Sequence, residues 1–218
     1  MRPPVLKALT LSCLLSATLA ASPQLGSRPA EEWIKTLDGE QRVAALKIDD
    51  VVAAMKLQPG QKVADIGAGP GLFEVPLAKG VGPTGRVYAE DIDAGFFPAI
   101  NKRTADAQIG NVETVLGGFT DPKLPVKNID VVLIHDVMHH IEKRPEFIKT
   151  LTGYLAPSGR IVVVDYEAGK GPHPNDPTLQ VSREQLTGWM TDAGLSRVDD
   201  VKLFPDKYYL IFARQPPK

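Results

Sequence analysis

The chain has 218 residues, is 43% hydrophobic and 23% charged, and carries a net charge of −1. That is enough apolar material for one globular domain with a real core, and it excludes the basic balance of a nucleic-acid-binding surface. The one cysteine, Cys13, excludes an intrachain disulfide and a thiolate metal site.

Arg2 and Lys7 precede an uncharged run, Ala8 to Ala21, in which Thr18-Leu19-Ala20 places small residues for cleavage after Ala20. This is the pattern of a secretory signal peptide over residues 1–20. The run is short for a membrane span, so the expectation is an exported, periplasmic protein with no stable span once the leader is removed. The alternative is a protein anchored through an uncleaved leader. Residues 21–30, rich in Ser, Pro and Gly, read as a linker. Residues 31–57 read as helical. Asp38 with Gln41 resembles a capping box, and Val43, Leu46, Val51, Val52 and Met55 supply apolar faces. Pro59-Gly60 then turns the chain into a strand, Lys62 to Ile66.

The organising stretch is Val63-Ala64-Asp65-Ile66-Gly67-Ala68-Gly69-Pro70-Gly71. It reads as a buried strand, a tight turn and the start of a helix over 72–79. Glycines at 67, 69 and 71 permit backbone angles closed to other residues and let a ligand approach the main chain. The helix start offers unpaired N–H groups and the positive end of a dipole. The spacing is G-x-G-x-G with Asp65 two places ahead, not the dinucleotide G-x-G-x-x-G. After Pro83-Thr84-Gly85 a second strand, Arg86 to Glu90, ends in Asp91-Ile92-Asp93. Asp91 lies 20 positions after Gly71, where a ribose-binding acid is expected in βαβ nucleotide sites; Glu90 is the fallback.

A helix over 96–107 and a third strand over 111–116 lead to the loop Gly117-Gly118-Phe119-Thr120-Asp121-Pro122. The fully apolar fourth strand, Ile129 to Ile134, suits the centre of a parallel sheet. It opens into His135-Asp136-Val137-Met138-His139-His140, with three of the chain's four histidines just past a strand's carboxyl end. Open α/β sheets bind ligands there. Phe147, Ile148, Leu151 and Leu155 give helical spacing from Pro145 until Pro157-Ser158-Gly159. Strand Ile161 to Asp165 delivers Asp165, Tyr166 and Glu167, and a Gly/Pro-rich loop over 169–177 carries His173. Ser182 with Gln185 forms a second capping box ahead of Leu186, Trp189, Met190 and Ala193, and Gly194 stops that helix. Strands over 196–203 and 207–213 close the chain, with one of Tyr208 and Tyr209 expected in the core and the other exposed or facing the sheet's helices. His135, Asp136 and Asp165 offer metal-ligand chemistry, but no standard zinc spacing is present, and the expectation is no metal. Neighbouring residues on a helix do not share a face, so His139 and His140 are not expected to touch one ligand.

The D-x-G-x-G-x-G pattern at 65–71, the V-Y-A-E-D-I run at 87–92 and the closing hairpin together resemble the class I S-adenosylmethionine-dependent methyltransferases, over about Leu57 to Arg214. The resemblance implies a Rossmann-like α/β fold. Its sheet would have seven strands, mostly parallel, with an antiparallel C-terminal strand and helices on both faces. S-adenosylmethionine would be the cofactor. Gly67, Ala68, Gly69 and Gly71 would lie against its methionine part, with Asp65 orienting the ammonium group. Asp91 would hold the ribose and Ile92 would sit beside the adenine. Gly118 and Phe119 would border the adenine too, although many members carry an acid where Gly118 stands. His135 and Asp136 would lie nearest the sulfonium, and Asp136, Asp165 and Tyr166 would face the substrate. Residues 31–57 would form a lid, with Trp33 and Arg42 able to face the pocket, ahead of a cofactor-binding domain over 58–218.

An oxygen or carbon acceptor wants a base, and His135, His139 and His140 are the candidates. The resemblance is strongest to bacterial, often exported, predicted methyltransferases of small-molecule type, and looser to ubiquinone/menaquinone and arsenite methyltransferases. The cysteines an arsenite enzyme needs are absent. The expected partner is a small-molecule acceptor, not a nucleic acid, and the oligomeric state stays open. Two alternatives remain: a binder of the same cofactor without catalysis, and a nucleotide-dependent oxidoreductase, which the glycine spacing and the terminal hairpin argue against.

Overall fold

A computed structural model describes residues 28–214. The leader, most of the 21–30 linker and residues 215–218 lie outside the described residues. Seven strands form one sheet: β1 (Lys62–Ile66), β2 (Arg86–Asp91), β3 (Val112–Leu116), β4 (Ile129–His135), β5 (Leu155–Tyr166), β6 (Ser196–Asp200) and β7 (Lys207–Ala213), in the order β3-β2-β1-β4-β5-β7-β6. The first five run parallel, and β7 slots antiparallel between β5 and β6. The expected architecture is therefore present. Val63 is level with Val87 and Val131, and Ile66 with Glu90 and Ile134. That register brings the glycine turn, Asp91 and His135 out along one edge. Because β7 runs the other way, its first residue, Lys207, meets Tyr166 at the same edge.

The helices are α1 (Ala30–Leu37), α2 (Glu40–Ala45), α3 (Ile48–Ala54), α4 (Glu74–Val81), α5 (Phe97–Asp106), α6 (Arg144–Thr152) and α7 (Arg183–Asp192). Strand side chains alternate between two cores, as a period of two requires. Ile66, Val132, Ile134, Val163, Tyr208 and Phe212 pack with α6 and α7. Val63, Val131, Leu133, Val164, Tyr209 and Ile211 pack with α3 and α4. Both Tyr208 and Tyr209 are fully buried on opposite faces, so the second tyrosine faces the sheet's helices and not solvent. A sheet covered on both faces leaves no solvent side for an inner strand.

Other boundaries move for local reasons. The glycine turn continues through Phe73, so α4 starts at Glu74 instead of residue 72. Helix α6 ends at Thr152, and Leu155 already pairs with Ile129 in the sheet. Pro157-Ser158-Gly159 lies inside β5: the pairing jumps from Leu155 to Arg160 while β4 advances only from Ile129 to Val131. β6 stops at Asp200. The Ser182–Gln185 capping box forms, and α7 closes with Gly194 (φ +83°) donating to Thr191 O and Leu195 to Met190 O.

The capping box expected at Asp38 does not form. Gly39 occupies the N-cap of α2, and Asp38 pairs instead with Arg103 of α5. Arg103 also donates from Nε to Pro70 O at 2.8 Å. This fixes the end of α1 over the glycine turn, with Leu37 Cδ1 3.6 Å from where a side chain on Gly69 would begin. None of the helices among the described residues is long and apolar enough to cross a membrane.

Candidate functional site

The glycine turn is fastened to the end of β2. Gly67, Gly69 and Gly71 have φ of +71°, +53° and +85°, which side chains disfavour. A Cβ on Gly67 would meet Val137 Cγ2 at 2.5 Å, and one on Gly71 would meet Ile100 Cγ1 at 2.8 Å. Ala68 N–H donates to Glu90 O at 2.8 Å. Gly69 N–H donates to Asp91 Oδ2 at 2.9 Å, and Asp93 N–H to Asp91 Oδ1 at 2.9 Å. Gly67 N–H donates to Glu90 Oε2 at 3.3 Å. Ala68 and Ile92 line this turn half-buried.

Four buried carboxyls surround the turn: Asp65, Glu74, Glu90 and Asp91. Asp65 faces Glu74. Burial and the facing acid hold Asp65 well above the usual carboxylate range. Burial pushes Glu74 up to about 7 and Glu90 up to about 8, with the Asp91 charge adding to the latter. Burial also raises Asp91, partly offset by the amides of Asp93 and Gly69. Both oxygens of Glu74 and Oε1 of Glu90 have no hydrogen-bond partner. Buried acids around open glycine backbone suit a ligand that brings positive charge, which would draw them into the ionised form. S-adenosylmethionine, with its ammonium and sulfonium groups, fits that demand.

The adenine side is less formed. Glu90 Oε1 occupies the space a side chain on Gly117 would need. Gly118 N–H donates to Asp121 O at 2.8 Å. Asp121 Oδ1 accepts from Tyr154 Oη and Lys123 N–H, both at 2.8 Å. The Phe119 ring stands 62% exposed on the rim.

Past β4, His135 stacks on Phe73 with ring centroids 4.9 Å apart, and burial lowers it to about 4. Asp136 takes φ +55°, an uncommon angle for a residue with a side chain. Its Oδ2 accepts from Lys207 Nζ at 2.7 Å, and both side chains are more than nine-tenths buried. Lys207 in turn lies 4.4 Å from the Tyr166 ring and 5.4 Å from that of Phe204. The charge of Arg42, on α2, reaches His135 and Tyr166.

A 3-10 turn, Met138–His140, carries the paired histidines. His139 Nδ1 lies 2.7 Å from Asp165 Oδ1, and His139 N–H donates to Asp165 Oδ2 at 3.0 Å. The His139 and His140 rings lie side by side, 4.1 Å between centroids, because this turn is not a regular α-helix. Burial and the neighbouring His139 lower His140 to about 4. A small cavity is lined by His139, Asp165, Tyr166, Gly171, His173 and Gln180.

The structure thus gathers Gly67, Ala68, Gly69, Gly71 and Asp91 at one centre. It gathers His135 and Asp136 at a second, and His139, His140, Asp165 and Tyr166 at a third. Gly118 and Phe119 stay on the rim, and Asp65 turns toward Glu74. Glu74, Arg103 and Lys207 were missed. Only Glu74 left a signal, an acid at the start of an otherwise apolar helix. Among the described residues, no group of three or more His, Cys, Asp or Glu side chains is placed to hold a metal ion.

A parallel sheet with a glycine turn after β1, an acid at the end of β2 and an inserted antiparallel β7 defines the class I methyltransferase architecture. Residues 64–163 match the family model described as a methyltransferase domain. The chain is 27% identical over 195 residues to an arsenite methyltransferase of Halobacterium salinarum, covering 89% of this chain and 48% of that protein. It is 28% identical over 117 residues to a ubiquinone/menaquinone biosynthesis C-methyltransferase of Ectopseudomonas mendocina, covering 53% and 46%. A crystal structure of a SAM-dependent methyltransferase from Aquifex aeolicus superposes with a TM-score of 0.72 at 21% identity, covering 83% of this chain and 96% of that one. The chain spans about half the length of the two named sequence relatives. These likenesses support a domain of the S-adenosylmethionine-dependent methyltransferase class.

Proposed function

We propose that the protein moves a methyl group from S-adenosylmethionine to a small-molecule acceptor. The observation that carries this is the glycine turn fastened to Asp91 through the Gly69 amide and ringed by carboxyls that lack a cation. Gly67, Ala68 and Gly69 would line the methionine part, Asp91 the ribose and Ile92 the adenine. When bound, S-adenosylmethionine supplies a methyl group on a positively charged sulfur. The chain's own contribution is to hold donor and acceptor in line, exclude water and accept a proton where the acceptor loses one. The names of the sequence relatives, for arsenite and for quinone biosynthesis, support a small acceptor. Arsenite itself is disfavoured, because soft thiolate ligands suit such a centre and this sequence offers only Cys13.

Calorimetry of the purified protein with S-adenosylmethionine, its demethylated product and NAD tests the donor. Binding of the first two and not of NAD is expected, and failure to bind either adenosyl compound overturns the proposal. Gly118, standing where the family often has an acid, favours a second reading: a binder that performs no transfer. Methyl-labelled donor offered with a lipid and quinone panel separates the two. Export belongs to the same proposal, and N-terminal sequencing of the mature protein should begin at Ala21.

A further inference from the structure

We propose that His139 is the general base of the transfer, oriented by Asp165, and that the acceptor is therefore a weakly acidic O–H or C–H compound such as a phenol or an enol. This rests on the methyl-transfer reading above and goes beyond it by naming the acceptor class. The two residues are 26 positions apart and meet only because β4 and β5 end side by side.

The geometry of the pair is what a base requires. Asp165 Oδ1 receives Tyr166 N–H at 2.8 Å as well as the His139 ring, and Oδ2 receives His139 N–H at 3.0 Å. A carboxylate holding these amides is an acceptor, so the ring presents Nδ1–H to it and leaves a lone pair on Nε2. His139 Nε2 is buried without a hydrogen-bond partner, beside the cavity that Tyr166 and the 169–180 loop enclose. The groups facing the ring are Asp165 and Tyr166 on β5, His140 on its own turn and His173 on the loop, whose ring centroid lies 6.3 Å away. Arg144 of α6 holds the turn from behind, donating to Met138 O at 3.1 Å, to His139 O at 2.6 Å and to Thr178 O of the loop at 2.7 Å.

The other two histidines lack this support. The carboxylate nearest His135 is Asp136, 3.6 Å away and already held by Lys207. His140 has no hydrogen-bond partner for its Nδ1. Both are poor proton acceptors where they stand, each lowered to about 4 by burial. Neutral amines attack through a lone pair they already hold, and thiols ionise unaided near pH 8.5. A built base is needed for a hydroxyl or an activated carbon. In the step, the acceptor's proton goes to Nε2 and its X–H electron pair forms the bond to the methyl carbon. The C–S pair stays on the donor's sulfur, which leaves as a neutral thioether. Asp165 steadies the imidazolium, which returns its proton to water past the exposed His173.

Nitrogen-15 NMR of the histidine side chains, on the full protein with the demethylated product bound, reads the tautomer directly. The expected result is His139 with a proton on Nδ1 and a bare Nε2 near pH 8, and loss of that preference in Asp165→Asn. A proton on Nε2, or an imidazolium persisting to pH 9, overturns the proposal. In parallel, methyl-labelled donor is offered with 1-naphthol, which carries both an O–H and an activated ring carbon, and with aniline and thiophenol. Transfer to naphthol should fall about 100-fold or more in His139→Gln, with donor affinity unchanged by calorimetry. Transfer to aniline or thiophenol that survives His139→Gln, or transfer to none of the three, overturns the acceptor class. Loss of donor binding by the unaltered protein would instead remove the underlying methyl-transfer reading.

Discussion

Glu74→Gln should gain stability relative to the parent as pH rises. Glu74 sits in the first turn of α4, fully buried, with Oε2 3.3 Å from where a side chain on Gly71 would begin and Asp65 facing it. Burial pushes its carboxyl from 4.5 up to about 7. The folded protein therefore keeps a proton that the unfolded chain gives up. Stability is unaffected below pH 4.5, falls as pH rises from there to about 7, and is level above that. At ~1.4 kcal/mol per pH unit, the interval from 4.5 to about 7 amounts to roughly 3 kcal/mol. Glutamine has nearly the same shape and cannot ionise, so its stability lacks this slope. Urea denaturation at pH 5 and pH 8 is the assay. The difference between variant and parent should swing toward the variant by about 3 kcal/mol over that range, or roughly 6–12 °C in Tm. Glu90, raised in the same direction, is present in both proteins, whereas the swing belongs to the Asp65–Glu74 pair, because the substitution also removes the acid that faces Asp65. A difference that does not change with pH would show that Glu74 is ionised in the fold and would refute the argument. A carboxyl retained at such a cost is expected to serve the ligand. S-adenosylmethionine should accordingly raise the parent's Tm more than the variant's.

Asp91→Ala should weaken S-adenosylmethionine binding at least tenfold, since it removes both the ribose acid and the acceptor that fixes the Gly69 and Asp93 amides; unchanged affinity by calorimetry would mean the acid is misassigned. Gly67→Ala should destabilise the fold by about 2 kcal/mol or more, from the left-handed backbone plus the clash with Val137. Adding Val137→Ala should recover only the clash, so full recovery in a thermal melt would argue against backbone strain. Arg103→Ala should release α1 from the glycine turn. A partly exposed pair of this kind is worth about 1 kcal/mol, so stopped-flow measurement should show S-adenosylmethionine leaving roughly fivefold faster with little change in Tm.

What could be read from the sequence was what lies within a few residues of itself. The strand, glycines and helix of 63–81, the acid at Asp91 and the closing hairpin all declare themselves by spacing. What failed depends on neighbours distant in the chain. Gly159 looked like a helix stop, yet it is needed because a Cβ there would lie 2.6 Å from Ile129 O inside the sheet. Asp38 looked like a cap until Arg103, 65 residues on, claimed it. Tyr208 and Tyr209 alternate as expected, but whether both faces are covered depends on four separate helices. The three histidines were legible as a group. Choosing His139 among them required Asp165 in place, and nothing local marks that partner.

The two covers of the site belong to different parts of the chain. Leu37 of α1 closes the glycine turn, whereas the 169–180 loop closes the cavity beside His139. The glycine turn and the His139 cavity are therefore walled by segments far apart in the chain, and a substitution in one cover leaves the contacts of the other in place.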